Sequence, residues 1–472
     1  MTSCRHPRSS RYKHQASFHQ VRRRITYPPT KRQPLPHYMY LLNINTQQLE
    51  DIQERRPYAI LSHAWRVGET HYFEEIGTER VRTQPGYEKV EMCCELARQD
   101  GLDYVWIDIC CANANTSAGQ TETTTSAYTW FQQAQVCYTY LDDVDSSEDP
   151  REGHSTFRRS RWFKRTWTIQ ELLAPKHVFF FAKDWTMIGT KAGLSSIISG
   201  ITGIHEDALK YPERIPCFSI ATRMSWAKGR TSTREEDKVY ALMGLFGVNL
   251  PILYGEGETR TFLKLQNKIM KTTDDQSIFA WRSASASASS ESHASDSSLF
   301  ADTSKCFADC GDVQQIPYDL WSEYCAKHFR SENVAYPLLD KVPSCRGLRA
   351  ILPVRQRGDG LDALLACARS PAVWNGSEYM ANVDKTDANK ADLIQCIHLR
   401  QSYHGYERVD KNHLESVGVD NFRKFSLQDI HICASRSFLG APSHRKWLVN
   451  SLLYIISPSI LFLLYQSRKA SL

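Results

Sequence analysis

Several signatures of catalytic chemistry are absent from this chain of 472 residues. It has no GxSxG nucleophile elbow, no GxxxxGK phosphate-binding loop and no HExxH zinc motif. Gly255-Glu256-Gly257 is too short for a dinucleotide-binding fingerprint and is interpreted as a turn. Enzymatic activity in this chain would therefore have to rest on residues outside these motifs.

Cysteine is too sparse for a disulfide scaffold, with 14 cysteines in 472 residues. Cys93-Cys94 and Cys110-Cys111 are adjacent pairs that cannot cross-link easily, so reduced thiols in a cytoplasmic protein are expected. Cys306 and Cys310 have no second pair at zinc-finger distance. No metal site and no bound cofactor are therefore expected.

Acidic residues are absent from the first 49 residues, which contain nine Lys and Arg. Without these nine, the rest of the chain has 49 basic and 52 acidic residues, so the net charge of +6 does not indicate nucleic-acid binding. Residues 1–38 are interpreted as a disordered arm or as sequence upstream of a true start at Met39. A transit peptide is the third alternative, but the segment lacks an amphipathic apolar stripe.

Charge is also absent from residues 447–466, where Leu, Ile, Tyr and Phe predominate. Twenty uncharged residues are enough to cross a bilayer, so a tail anchor and membrane association are one interpretation. Pro458 and Asn450 weaken it. A buried terminal helix and a misread gene end are the alternatives.

Apolar runs alternate with amphipathic segments between residues 58 and 181. Strands are predicted at 58–62, 104–108, 136–141 and 177–181, and helices at 87–99, 123–135 and 162–173, with Gly101 ending the first helix. This alternation predicts an α/β domain over residues 39–185 with a parallel sheet and crossover helices. A mostly helical accessory region is predicted over 186–282, a flexible Ser/Ala-rich linker over 283–298, and a region without clear periodicity over 299–446.

Polar residues follow the predicted strands at the ends where ligands gather in parallel sheets. Ser62 and His63 end the first strand, and Asp108 ends the second. A serine hydrolase is not expected, because neighbours on a strand point to opposite faces and cannot serve each other directly. For Asp108, capping a loop and facing a ligand are both open.

Glu171 is the most informative acidic residue, because it follows a basic aromatic segment at 158–165. It lies four residues after Trp167 and so shares a helix face with that indole. This pair could line a pocket for a flat cationic ring, with Glu171 as a working acid. The alternative is structural, with Glu171 in an ion pair with Arg161 or Arg165.

Three blocks resemble the fungal heterokaryon-incompatibility (HET) domain. They are YAILSHAW at 58–65, VWIDICC at 105–111 and RWFKRTWTIQEL at 161–172. Segments at 223–227, 234–242 and 253–257 resemble an accessory region that often follows this domain. Two departures are Arg66, where the family usually has Gly, and Ala112-Asn113-Ala114-Asn115, where it usually has an Ile, an acidic or amide residue and then Gln or Lys.

The resemblance implies non-self recognition and programmed cell death, an innate-immunity function, when unlike fungal strains fuse. HET domains are in turn similar to TIR domains, which have a flavodoxin-like signalling fold. Some TIR domains hydrolyse NAD+ with a glutamate in a Trp-Cys-x-x-Glu-Leu motif, a spacing that Trp167 and Glu171 match. The resemblance thus implies a catalytic Glu171 with NAD+ as substrate, and Ser62, His63, Trp65, Asp108 and Trp167 around it.

Two other functions remain open at this level. The domain could be a non-catalytic module that self-associates or binds protein partners of an incompatibility pathway. The 447–466 segment could instead direct the protein to a membrane as a toxin.

Overall fold

A computed structural model describes residues 34–283, 299–329, 348–369, 373–374, 379–380, 393–402, 405–409 and 414–433. The chain divides into two compact units. Unit 1 comprises residues 1–269, 302–314 and 371–380, and unit 2 comprises 270–301, 315–370 and 381–472. Most of the basic leader, the Ser/Ala-rich linker and the 447–466 segment lie outside the described residues, so the predictions for them stay predictions. Within the described part of the chain, no helix is both long and apolar enough to cross a bilayer.

Unit 1 is built around a sheet of seven strands. These are β1 (Pro34–Asn43), β2 (Gln48–Glu54), β3 (Ala59–His63), β4 (Tyr104–Trp106), β5 (Val136–Tyr140), β6 (Val178–Phe181) and β7 (Met187–Thr190). The strand order is β2-β1-β4-β3-β5-β6-β7. The four central strands, β4, β3, β5 and β6, are parallel. Their order along the sheet, second, first, third and fourth in the chain, is a doubly wound order.

The α/β prediction is confirmed, and all four predicted strands are present. The sheet as a whole is mixed rather than parallel, because β1, β2 and β7 add antiparallel pairs at its two edges. The sequence pattern missed β2 and β7 because these edge strands are partly exposed and have weaker apolar runs. Strand β1 lies between β2 and β4, and it was not predicted because it spans the end of the basic leader. In contrast, β3, β4, β5 and β6 are buried along their whole length.

Helices and 3₁₀ turns connect the strands of unit 1. The helices before β7 are α1 (Tyr87–Gln99), α2 (Asp108–Cys111), α3 (Ser117–Gln133), α4 (Thr156–Arg159) and α5 (Thr168–Leu173). The helices after it are α6 (Ser195–Thr202), α7 (Glu206–Lys210), α8 (Ile220–Ser225), α9 (Asp237–Tyr240), α10 (Met243–Phe246) and α11 (Glu258–Met270). Short helices thus recur between residues 195 and 270, within the accessory region predicted over 186–282, although β7 also lies in that region. The predicted end of α1 is also confirmed, since Gly101 has a φ of +73° that favours glycine.

The predicted helix over 162–173 is wrong in its first half. A 3₁₀ turn, Arg161–Lys164, precedes α5, and Arg165 between them is extended. The cause lies far along the chain: Thr231 donates its N–H to the Lys164 carbonyl at 2.7 Å and accepts from the Thr166 N–H at 3.0 Å. This pairing satisfies backbone groups that a continuous helix would otherwise use.

Unit 2 contains a strand-rich core that the sequence pattern did not predict. Its helix is α12 (Tyr318–Phe329). The strands that begin at or after residue 313 are β8 (Val313–Gln315), β9 (Leu348–Arg357), β10 (Gly360–Arg369), β11 (Val373–Trp374), β12 (Tyr379–Met380), β13 (Leu393–Ser402), β14 (Gly405–Val409), β15 (Glu415–Val417) and β16 (Ser426–Ile432). Of these, β11 and β12 lie in the 371–380 segment of unit 1, and β8 begins in its 302–314 segment. Strands β9, β10, β13, β14 and β16 form a closed ring of pairings. Apolar residues of α12 and β10, such as Trp321 and Leu364, share one core cluster.

Candidate functional site

A cavity of about 380 Å³ opens at the carboxyl ends of β3 and β4 in unit 1. This volume is in the usual range for small-molecule sites. Six of the predicted site residues line it: His63, Trp65, Asp108, Arg165, Trp167 and Glu171. Residues more than 100 positions apart therefore meet at one edge of the sheet, as expected for a doubly wound fold.

Ser62 holds the Glu171 carboxylate at the cavity wall. The Ser62 hydroxyl lies on β3 and donates a hydrogen bond to Glu171 Oε2 on α5. Its oxygen accepts a hydrogen bond from Trp162 Nε1 at 2.8 Å. An indole N–H can only donate, so the serine proton is free to point at the carboxylate. Ser62 and Trp162 are both buried, which gives the glutamate a fixed anchor.

Glu171 is poised between its protonated and ionised forms at neutral pH. Burial raises its pKa from 4.5 to about 7, although the Ser62 hydrogen bond opposes the rise. The Asp108 charge raises it further, and His63 and Arg165 have smaller opposing effects. The residue is only partly buried by surface area, because its carboxyl group faces the cavity. A carboxyl group with this pKa inside a cavity is typical of functional sites.

The ion pair expected as the structural alternative does not form among the described residues. Arg161 pairs with Asp142 instead, at 2.5 Å. Arg165 lines the cavity, but its charge lowers the pKa of Glu171 only slightly, less than the Ser62 hydrogen bond does. The last turn of α5 is held by the buried Lys191, whose Nζ donates to the Leu172 carbonyl at 2.9 Å.

Asp108 is an ionised acceptor at the opposite wall. Burial opposes its ionisation, but His63 and Trp65, which donate hydrogen bonds to the carboxylate, outweigh burial and lower the pKa to about 2. His63 Nε2 lies 2.8 Å from Asp108 Oδ1, and Trp65 Nε1 donates to Oδ2 at 2.7 Å. The Asp108 side chain keeps 32% of its surface exposed, so it faces the cavity as well as ordering the loop.

A buried lysine behind His63 extends this network. Lys89 Nζ lies 3.1 Å from His63 Nδ1 and 2.7 Å from Glu69 Oε1, and the side chains of Lys89 and Glu69 are 0% and 1% exposed. Since an ammonium group can only donate, Nδ1 accepts and Nε2 carries the proton given to Asp108. Lys89 was not predicted as a site residue, although it lies on the buried face of α1, four residues before Cys93.

The cavity is closed by the accessory segment rather than by the α/β sheet alone. Arg234, Asp237 and Tyr254 line it and come from the blocks at 234–242 and 253–257, and Thr233 lines it directly before the first of these blocks. Burial raises the pKa of Asp237, although hydrogen bonds with Tyr254 and Trp167 oppose the rise. These blocks were recognised by their resemblance to the accessory region, but no site residue was predicted in them.

The two departures from the family pattern lie at this edge of the sheet. Arg66 spans the strand ends: it donates to Asp142 at 2.8 Å, to Glu88 at 2.8 Å and to the Tyr140 hydroxyl at 2.9 Å. Ala112 and Ala114 line the cavity. Their short side chains leave open space that the larger residues usual in the family at these positions would fill. No group of described residues could hold a metal ion.

Replacing Glu171 with glutamine is expected to stabilise the protein at neutral pH. The folded pKa of about 7 lies above the ordinary 4.5, so stability is lost as pH rises from about 4.5 to 7. We expect Glu171→Gln to remove this penalty and raise stability at pH 8 by about 1–3 kcal/mol.

Thermal unfolding of both proteins at pH 4.5 and pH 8 measures this effect. The variant should gain on the wild type only at the higher pH. Equal melting temperatures at pH 8 would mean that burial does not disfavour the Glu171 charge.

Comparison with known proteins identifies two regions. Residues 58–153 match the family described as heterokaryon incompatibility protein (HET), and residues 260–355 match a domain of unknown function, DUF8212. The chain is 38% identical over 220 residues to vegetative incompatibility protein HET-E-1 of Podospora anserina. This match covers 46% of the chain but only 16% of that relative, and no solved structure matches.

The family match covers β3, β4 and β5 with His63, Trp65 and Asp108 of the cavity and with Ser62 behind it, and ends before Glu171. The blocks at 58–65 and 105–111 therefore lie within the match, and the block at 161–172 lies beyond it. The chain contains a heterokaryon-incompatibility (HET) domain over residues 58–153.

Proposed function

We propose that the protein acts in fungal heterokaryon incompatibility and that its α/β domain hydrolyses NAD+ at the cavity of unit 1. The observation that carries the proposal is Glu171: it faces the cavity, is anchored by Ser62 and has a pKa raised by burial to about 7. A carboxyl group that only neutralised an arginine would have neither the free face nor the raised pKa.

The reaction needs a carboxylate close to the ribose. The bond from ribose C1 to the nicotinamide nitrogen breaks, and its electron pair neutralises the pyridinium ring. The ribosyl group becomes oxocarbenium-like, and water adds to C1 and releases a proton. Ionised Glu171 would accept a hydrogen bond from a ribose hydroxyl and stabilise the developing positive charge.

The cavity walls fit the two ends of this reaction. The indoles of Trp65 and Trp167 line the cavity and offer flat faces to the cationic nicotinamide ring. Asp108 adds a negative charge, since its pKa is held at about 2. The Asp108 carboxylate thus favours a cationic ring and a cationic transition state nearby, although Arg165 and Arg234 also line the cavity.

The biological outcome of this activity would be cell death by loss of NAD+ when unlike strains fuse. Similarity to the relative named vegetative incompatibility protein HET-E-1 supports this pathway. The chain spans 16% of that relative's length, so the trigger and partners are part of the proposal. We propose control by protein partners or by self-association of the chain.

Release of nicotinamide from NAD+ by the purified full-length protein tests the proposal. The assay should be run on the protein alone and on protein clustered through a fused dimerising tag, since the trigger is supplied in the second case. Nicotinamide and ADP-ribose should form in equal amounts. An absence of both products under clustering would remove the enzymatic proposal and leave a non-catalytic module.

A further inference from the structure

A second cavity in unit 1, separate from the first, has a basic lining. Its volume is about 430 Å³. It lies among α4, the 3₁₀ turn Arg161–Lys164, the end of α6 and the segment after α8. Five of its lining residues are cationic, and among the described residues none of the lining is acidic: Arg158, Arg159, Lys164, Lys228 and Arg230.

The arginines of this cavity have unused donor groups. Arg230 is 6% exposed, and its Nη1 donates to the Arg165 carbonyl and to Thr168 Oγ1, both at 2.9 Å. Its Nη2 and the Nε of Arg158 are buried without a hydrogen-bond partner among the described residues. Buried donors without acceptors are costly, so their retention indicates an acceptor supplied from outside the chain.

Nearby carboxylates neutralise the cluster only in part. Asp309 forms an ion pair with Lys228 at 3.3 Å, and both side chains are exposed. Glu148 is close enough to Arg159 to be influenced by its charge, but its carboxylate accepts from the Thr156 backbone N–H and hydroxyl. Glu171 influences Arg230 electrostatically but does not line this cavity. Burial lowers the pKa of Arg230 only to about 10, so the residue is charged at neutral pH.

Three glycines lie in the lining of the cavity, Gly153, Gly200 and Gly229. A Cβ on Gly153 or Gly229 would meet nothing within 4 Å, and one on Gly200 would lie 3.9 Å from Arg158 Nη1. The Arg158 guanidinium group therefore lies beside the Gly200 backbone. Guanidinium groups pair with two oxygens of a phosphate or a carboxylate, and five cations in one lining favour the more highly charged phosphate.

We propose that this cavity binds a multiply charged phosphate group, either a free polyphosphate or the headgroup of a phosphoinositide. The ligand oxygens accept from Arg158 and Arg230, and Arg159, Lys164 and Lys228 add positive charge at the mouth. The bound anion lies behind the first turn of α5, since Arg230 contacts Thr168 there. The inference does not depend on NAD+ hydrolysis.

Isothermal titration calorimetry of the full-length protein with inorganic pyrophosphate tests the site. We expect saturable binding of one pyrophosphate that weakens as salt is raised. Arg158→Gln and Arg159→Gln should each weaken binding about tenfold or more. The matched control is Arg98→Gln on α1, an exposed arginine paired with Glu95 outside the cavity, which should leave binding unchanged.

Sedimentation with phosphatidylcholine vesicles, with and without a phosphoinositide, distinguishes the two sources of phosphate. Phosphoinositide-dependent sedimentation that pyrophosphate reverses identifies a lipid headgroup. Pyrophosphate binding without sedimentation identifies a free polyphosphate. The proposal is overturned if neither probe binds, or if Arg98→Gln weakens binding as much as Arg159→Gln does.

Discussion

Nicotinamide release is expected to fall by at least about 100-fold when Glu171 is replaced with glutamine. Glutamine has the shape of glutamate and can still accept the Ser62 hydrogen bond, but it has no charge to stabilise the ribosyl cation. The wild-type rate should rise about tenfold per pH unit below pH 7 and level off above it, because ionised Glu171 is the active form and its pKa is about 7. The measurement is nicotinamide formed by clustered protein between pH 5.5 and 8.5.

Glu95→Gln is the control for this change. Glu95 is an exposed carboxylate on α1 that pairs with Arg98, so its loss removes the same charge away from the cavity. Its rate should equal that of the wild type. If Glu171→Gln keeps the wild-type rate, another group performs the chemistry and the assignment of Glu171 is wrong.

Replacing Lys89 with methionine is expected to lower the stability of the protein by about 3–5 kcal/mol. The change leaves the carboxylate of Glu69, 1% exposed, without its ammonium partner at 2.7 Å. It also removes the donor to His63 Nδ1, so the order of the Asp108 wall is lost with it. Differential scanning calorimetry should show the unfolding transition lowered by on the order of 10 °C.

The double variant Lys89→Met with Glu69→Gln separates lost pairing from lost packing. Glutamine removes the buried charge and still accepts from the Arg66 backbone N–H, which donates to Glu69 Oε2 at 2.9 Å. The double variant should recover most of the lost stability. A double variant no more stable than the single one would show that the ion pair is not the cause.

Local patterns in the sequence were enough to predict the central architecture of unit 1. Continuous apolar runs predicted β3 to β6, and apolar spacing with Gly101 predicted α1 and its end. These features depend on residues a few positions apart, and a buried parallel strand or an amphipathic helix has the same pattern wherever it lies. The strands of unit 2 had a weaker signal, although buried residues alternate at the start of β9.

Which partner each side chain takes was decided only by the tertiary structure. Glu171 has arginines six and ten positions before it, yet its hydrogen-bond partner is Ser62, 109 positions away. Arg161 is drawn to Asp142 instead, and pairing of the backbone with Thr231 leaves Arg165 extended rather than helical.

The sequence by itself therefore predicted the resemblance to HET domains, the α/β layer and the order of its central elements, because these follow from local hydrophobic patterns and motif spacing. Only the tertiary structure decided that Glu171 faces a cavity, that Lys89 supports His63 and that residues 233–254 close the site. The reason is that burial and pairing depend on which segments meet across the sheet. Contacts between segments that are distant in the chain leave no periodic pattern in the sequence.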